Sequence, residues 1–155
     1  MTDRHVTHAT FTLERLYPAS PARVFAAWAD PAAKARWFAA PGGEHELDFR
    51  VGGREVNRGR HGDGPLLKFE SHYQDIVQDE RIVYSSTLHS EQTLTTVSLT
   101  TVTLTTAEPG RADGGTRLVL TEQGTYLDGH EDPAWRERGT AGWLAALDTE
   151  LRQRK

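Results

Sequence analysis

Between His45 and Gly124 the chain carries almost no helix punctuation, while β-branched residues recur between short turn signals. That stretch of about 80 residues is the strongest constraint on the fold, because it commits half the molecule to strands. The turn residues divide it into six strands near 44–50, 53–61, 66–77, 81–89, 93–106 and 115–124. Turns are expected at Pro41-Gly42-Gly43, at Gly62-Asp63-Gly64-Pro65 and over 109–115, each too short to be a domain linker. A further strand over about residues 9–17 precedes them, with alternation through Phe11, Leu13 and Arg15, and ends at Tyr17-Pro18.

Helices flank the strand block, and the same local chemistry announces each one. Ser20-Pro21, Asp30-Pro31 and Asp132-Pro133 each place a side-chain acceptor before a proline whose missing N–H costs nothing in a first turn. Val24, Phe25 and Trp28 form one apolar stripe, which Ala33, Trp37 and Phe38 continue. The last helix is expected to run some twenty residues to Gln153. Trp135, Gly139, Trp143, Leu147 and Leu151 recur every four residues, with Gly142 and Ala146 beside them. Gly139 and Gly142 each cost about 1 kcal/mol against Ala, so on the inner face they imply close backbone approach or reserved space. The opposite face, with Arg136, Glu137, Arg138, Asp148, Glu150 and Arg152, reads as solvated. Within 93–106 the apolar positions switch parity between Val97/Leu99 and Val102/Leu104, which predicts a β-bulge near Thr100-Thr101.

Composition removes several function classes. There is no Cys, which excludes thiolate nucleophiles, disulfides and Cys-ligated metals and fits a reducing cytoplasm. Eighteen Lys+Arg against 22 Asp+Glu give a net charge of −4, so no nucleic-acid partner is expected. No apolar run suits a signal peptide or a membrane helix, so no membrane association is expected. One domain over 1–155 is the reading of the length.

The residues in order resemble those of a known family. Tyr17-Pro18-Ala19-Ser20-Pro21 with Val24-Phe25, Asp30-Pro31 with Trp37-Phe38, and Gly52-Gly53-Arg54 are followed by Asp79-Glu80-Arg81-Ile82-Val83-Tyr84. Gly115-Thr116-Arg117-Leu118 with Gly124, and Gly142-Trp143 with Leu147, complete the set. The chain resembles the C-terminal-domain-like family of the activators of the heat-shock-protein-90 ATPase, within the START-like (SRPBCC) superfamily. The resemblance implies an α+β helix-grip fold of order β-α-α-β6-α, with a curved antiparallel sheet wrapped around the C-terminal helix and a cavity between them. The superfamily holds lipid and hormone carriers, polyketide cyclases and co-chaperone domains, so fold analogy does not choose among reactions.

Two departures from the family pattern put polar groups in the cup. Glu55, Asn57 and Gly59 stand where relatives present apolar residues, and alternation from Leu118 and Leu120 turns Glu122 inward. Glu55 and Glu122 are therefore the candidate catalytic carboxylates, with Arg54, Arg58 or Arg117 as pairing charges. The expected ligand wall comprises Trp37, Phe38, Glu55, Asn57, Tyr73, Tyr84, Ser86, Leu88, Leu118, Leu120, Glu122, Gly139, Trp143 and Leu147. Trp28 also reads as core or wall, and Trp135 as a gate. Tyr84 reads equally as a ligand contact or as a core tyrosine bonded to a backbone carbonyl, and Tyr73 reads as such a core tyrosine.

The seven histidines lack metal-ligand spacing. His5 and His8 fall in a frayed tail, His89 is placed near the cavity mouth, and His45, His61, His72 and His130 read as surface residues, so no metal and no cofactor are expected. No Gly-rich phosphate loop and no Gly-x-Ser-x-Gly elbow is present. The leading expectation is a protein that binds a small hydrophobic or amphipathic ligand. The alternatives are a polyketide cyclase- or dehydratase-like enzyme using Glu55 or Glu122, and a co-chaperone, although the chain lacks the extra N-terminal domain of the eukaryotic activators. Exposed edge strands suggest a homodimer.

Overall fold

The computed structural model describes residues 4–108, 110 and 114–154; of the turn expected over 109–115, Pro109 and residues 111–113 lie outside them. Strand β1, Val6–Tyr17, stops at Pro18, and Pro21 opens α1, Pro21–Ala29. The Ser20 hydroxyl accepts the Arg23 N–H at 3.2 Å. Asp30 then serves two helices with one residue. Its N–H donates to the Ala26 carbonyl at 2.9 Å to close α1, and its carboxylate accepts the Ala33 N–H at 3.0 Å to open α2, Pro31–Phe38. Asp132 caps α3, Pro133–Gln153, through the Ala134 N–H at 2.9 Å.

Strands β2 (Glu44–Leu47), β3 (Arg54–Gly59), β4 (Leu67–Val77), β5 (Arg81–Ser90), β6 (Thr93–Thr106) and β7 (Thr116–Leu127) complete one seven-stranded sheet of order β1-β7-β6-β5-β4-β3-β2. Every pairing is antiparallel. Among the described residues the only non-sequential neighbours are β1 and β7, which pair from Val6 opposite Leu127 to Tyr17 opposite Thr116. This pairing corrects the frayed tail expected for His5 and His8: His8 faces Thr125 in the ladder, and the His5 N–H donates to Asp128 Oδ1 at 2.9 Å. The curved sheet and the three helices form the helix-grip α+β fold.

Helix α3 lies across the sheet's inner face. The Tyr17 hydroxyl donates to the Leu144 carbonyl at 2.9 Å, and Arg36 of α2 grips both oxygens of Glu150 at 2.7–3.0 Å. Between helix and sheet lie Val24, Trp28, Ile82, Val102, Leu118, Leu120, Leu144 and Leu147, all buried. Full burial of each aliphatic side chain is worth about 1.5–3 kcal/mol, so this layer dominates the stability of the grip.

The sheet corrects the bulge expected at Thr100-Thr101. Strand β6 pairs with β7 without interruption from Thr96 to Thr106, so parity is kept and Val97 and Leu99, each 40% exposed, face outward. The reason is the inner-face partners. Thr96 donates to Glu131, Ser98 lies 3.5 Å from Arg136, and Thr100 donates to Glu122. A bulge that buried Val97 and Leu99 would strand those three charged groups without hydroxyl partners. The irregularities instead fall at Thr95 of β6 and Gln74 of β4, where one strand carries an extra residue.

Helix α3 is also rotated from the expected phase. Steps of four residues advance about 40° beyond a full turn, so Trp135 and Leu151 point about 160° apart. Trp135 is accordingly 58% exposed, whereas Arg136, Thr140, Leu144, Leu147, Glu150 and Leu151 form the buried stripe. Arg136 and Glu150, expected in solvent, are therefore inside the fold.

Candidate functional site

A groove of about 620 Å3 opens between the end of α2, the β3–β5 side of the sheet and the first half of α3. Its walls are Trp37, Phe38 and the 39–41 segment, Asn57, Gly59 and His61, Leu67 and Phe69, Leu88, and then Glu131, Trp135, Arg136, Gly139, Thr140 and Trp143. Asn57 fixes the α2 side. Its side-chain amide donates to the Phe38 carbonyl at 3.0 Å and its oxygen accepts the Ala40 N–H at 3.2 Å, tying the helix end to β3. Gly59 permits that approach, since a Cβ there would meet the Ala40 Cβ at 2.4 Å. On the α3 side, a Cβ at Gly139 would meet nothing within 4 Å, so this glycine keeps space open.

The floor is aromatic. Trp143 lies 4.4 Å from Phe38 and 5.8 Å from Phe69 between ring centroids, and Phe38 and Phe69 are 6.0 Å apart. Behind these rings a void of about 10 Å3, the size of one water, is bounded by Trp28, Tyr84, Leu120, Glu122, Thr140 and Leu144.

At one end of the groove Arg136, 5% exposed, organises two carboxylates. Its Nε and Nη2 donate to the two oxygens of Glu131 at 3.1 and 2.9 Å, and Nη1 donates to Glu122 at 3.2 Å. The guanidinium carbon sits 5.4 Å from the Phe69 ring centre. Burial pushes the Glu122 carboxyl above its ordinary value despite Arg136 and Thr100. Burial works against the Arg136 charge, but Glu122 and Glu131 outweigh it and hold the guanidinium protonated.

A second charged cluster lies under α2. Lys34, 1% exposed, donates from Nζ to Glu55 Oε1 at 2.9 Å; the Tyr73 hydroxyl donates to the same oxygen at 2.9 Å, and His45 Nε2 meets Oε2 at 2.8 Å. The ammonium also lies within 4.5–5.3 Å of the ring centres of Phe38, Trp28 and Trp37. Burial raises the Glu55 carboxyl, but Lys34, His45 and Tyr73 together bring it below the usual range. Burial, followed by the Glu55 charge, drives the Tyr73 phenol strongly upward. Burial pushes Lys34 down while Glu55 opposes.

The fourteen expected wall residues thus divide. Trp37, Phe38, Asn57, Leu88, Gly139 and Trp143 line the groove, while Tyr84, Leu120 and Glu122 face the inner void. Glu55 and Tyr73 are turned into the Lys34 cluster, and Ser86 is bonded to Ser71 at 2.8 Å. Leu118 and Leu147 are core. Trp135 stands in the groove wall at its exposed end.

The expected pairing charges are engaged elsewhere: Arg54 with Glu70, Arg58 with Glu44 and Arg117 with Glu14. Lys34 and Arg136 replace them. Both stand at helical spacing with apolar residues, Lys34 with Trp37 and Phe38, and Arg136 with Thr140, Leu144 and Leu147, which is the signal that could have found them. His45, expected at the surface, is buried by its bond to Glu55. His61 lines the groove, whereas His89 is absent from its walls. Among the described residues no cluster has the composition of a metal site and no helix is long and apolar enough to cross a membrane.

Comparison with solved structures finds the same architecture at high identity. Protein Mll3558 from Rhizobium loti is 47% identical, with 94% of this chain and 99% of that chain covered and a TM-score of 0.85. A putative uncharacterized protein from Rhizobium leguminosarum is 42% identical over 98% of this chain and 99% of its own, with a TM-score of 0.90. DynU16, a putative protein in the dynemicin biosynthetic locus, shares the fold at 20% identity and a TM-score of 0.65, with 92% of this chain and 47% of that one covered. Comparison with curated proteins finds no match. The family model described as "Activator of Hsp90 ATPase homolog 1-like protein" matches residues 18–153. With that match across the helix-grip elements, the chain belongs to the Activator of Hsp90 ATPase homolog 1-like family, among the START-like (SRPBCC) proteins.

Proposed function

We propose that this protein binds a small, largely apolar molecule in the groove between α3 and the sheet. The observation that carries the reading is the groove itself. About 620 Å3 is bounded by five aromatic side chains, Trp37, Phe38, Phe69, Trp135 and Trp143, with space kept by Gly139. This volume falls in the range of small-molecule sites, as does the combination of an apolar wall with few polar groups. Native mass spectrometry of the purified protein, followed by titration with the neutral dye Nile red, tests it. A co-purifying small molecule or saturable one-to-one dye binding supports the reading. A bare protein that also leaves the dye unbound overturns it.

Geometry favours binding over the cyclase- or dehydratase-like alternative. Glu55 is enclosed by Lys34, His45 and Tyr73, and Glu122 lies at a void with room for one water. Neither carboxylate stands in the groove wall. A reducing cytoplasm and a homodimer through an exposed edge strand belong to the same proposal, with light scattering in solution as the check on the dimer. Stimulation of a cognate chaperone ATPase, the co-chaperone alternative, is expected to be nil in a direct assay.

A further inference from the structure

We propose that the groove selects an apolar ligand whose polar group is a hydrogen-bond donor, an ammonium or a hydroxyl, and that it rejects carboxylates; the inference rests on the groove being the binding site. Among the described residues lining the groove, Arg136 is the one guanidinium or ammonium, and its charge is already committed. Three of its N–H groups bond two carboxylates, Glu131 and Glu122, with Ser98 at 3.5 Å. Two carboxylates thus share one guanidinium. An incoming carboxylate would have to displace Glu131 from Arg136 and leave it without its partner, which is costly in a partly buried site.

Glu131, in contrast, presents acceptor capacity toward the groove. Its two oxygens take two bonds from Arg136 and one from Thr96, and an ionised carboxylate has about four lone-pair sites. The aromatic floor points the same way. Ring faces carry negative quadrupole potential, so they attract a cation and repel an anion. Lys34 lies against Phe38 and Trp37, but Glu55 neutralises it at 2.9 Å. The remaining titratable group in the wall is His61.

Three probes on one scaffold separate the charge inference from the groove reading: 1-pyrenylmethylamine, 1-pyrenylmethanol and 1-pyrenecarboxylate, titrated at pH 7.5 and read by energy transfer from tryptophan. The amine and the alcohol are expected to bind at least tenfold more tightly than the carboxylate. In Glu131→Gln the Arg136 guanidinium keeps Glu122 but loses its two-point carboxylate partner, and the preference for the amine over the carboxylate is expected to narrow at least threefold. Should the carboxylate bind within threefold of the amine, the groove reading stands and the charge inference is overturned. An unchanged ratio of amine to carboxylate affinity in a folded Glu131→Gln protein also overturns it, because Glu131 would then not set the preference. If none of the three binds, the groove reading falls and takes this inference with it.

Discussion

Gly139 and Gly142 permit a test in which stability and binding move in opposite directions. Both lie inside α3, where a glycine costs about 1 kcal/mol relative to alanine. At neither position would an added Cβ meet an atom within 4 Å, so the helix gain comes without a clash. Gly139→Ala and Gly142→Ala are each expected to stabilise by about 1 kcal/mol, which for a chain of this length raises Tm by about 2–4 °C. Gly139→Leu retains most of that gain, because leucine is nearly as good a helix former, but its side chain enters a groove of about 620 Å3. Nile red affinity is expected to fall at least tenfold in Gly139→Leu and to be unchanged in Gly142→Ala, since Gly142 is outside the groove wall. Differential scanning calorimetry and dye titration on the same preparations measure both. A lower Tm in either alanine variant would refute the open-space argument. Unaltered dye binding in Gly139→Leu would show that the dye sits elsewhere. Nothing in the structure explains why Gly142 is a glycine.

Three further outcomes are expected. Lys34→Met leaves the Glu55 carboxylate buried with its cation removed and should cost about 3–5 kcal/mol in urea unfolding. The double variant Lys34→Met/Glu55→Leu should be more stable than Lys34→Met, and a double variant no better than the single would show that the pair itself is not the source of the loss. Glu122 binds its proton more tightly in the folded protein than the usual 4.5. Its contribution is therefore fully present below 4.5 and declines as pH rises through the folded-state value, so wild type should lose stability relative to Glu122→Gln over that rise. Parallel stability curves from pH 4.5 to 8 would contradict the sign. Asp30→Ala removes the acceptor for the Ala33 N–H at the start of α2 and should cost about 1 kcal/mol, read as a lower urea midpoint with unchanged slope.

The elements of the fold were legible wherever the signal is local. Ser20-Pro21, Asp30-Pro31 and Asp132-Pro133 fix three helix starts by hydrogen-bond chemistry that needs no tertiary partner, and the structure has helices at Pro21, Pro31 and Pro133. The burial of Glu122 followed from strand alternation because β7 is regular. What escaped was the polar interior. Periodicity read for apolar residues treats a charge as an outward marker, so it places Arg136 in solvent and gives Lys34 no role despite their positions on buried faces. The same bias predicts a bulge in β6 to shelter Val97 and Leu99, whereas Thr96 and Thr100 are the residues needed inside. Each miss has one origin: the buried partner lies on another element, and pattern within a single segment carries no record of it.

The closure of the sheet through β1 and β7 has a consequence for biosynthesis. Strand β1 is complete when Tyr17 has been made, yet its ladder partner among the described residues spans Thr116–Leu127. At ordinary translation speeds of about 5–20 residues per second, β1 waits roughly 5–20 s with a 12-residue edge unmatched. Its outward positions run from Val6 to Leu16: Thr10, Thr12 and Glu14 make the middle polar, while Val6 and Leu16, 54% and 64% exposed, leave apolar ends. Closing the sheet is thus a long-range pairing that must wait for about 100 intervening residues, a slow step compared with the hairpins between β2 and β7.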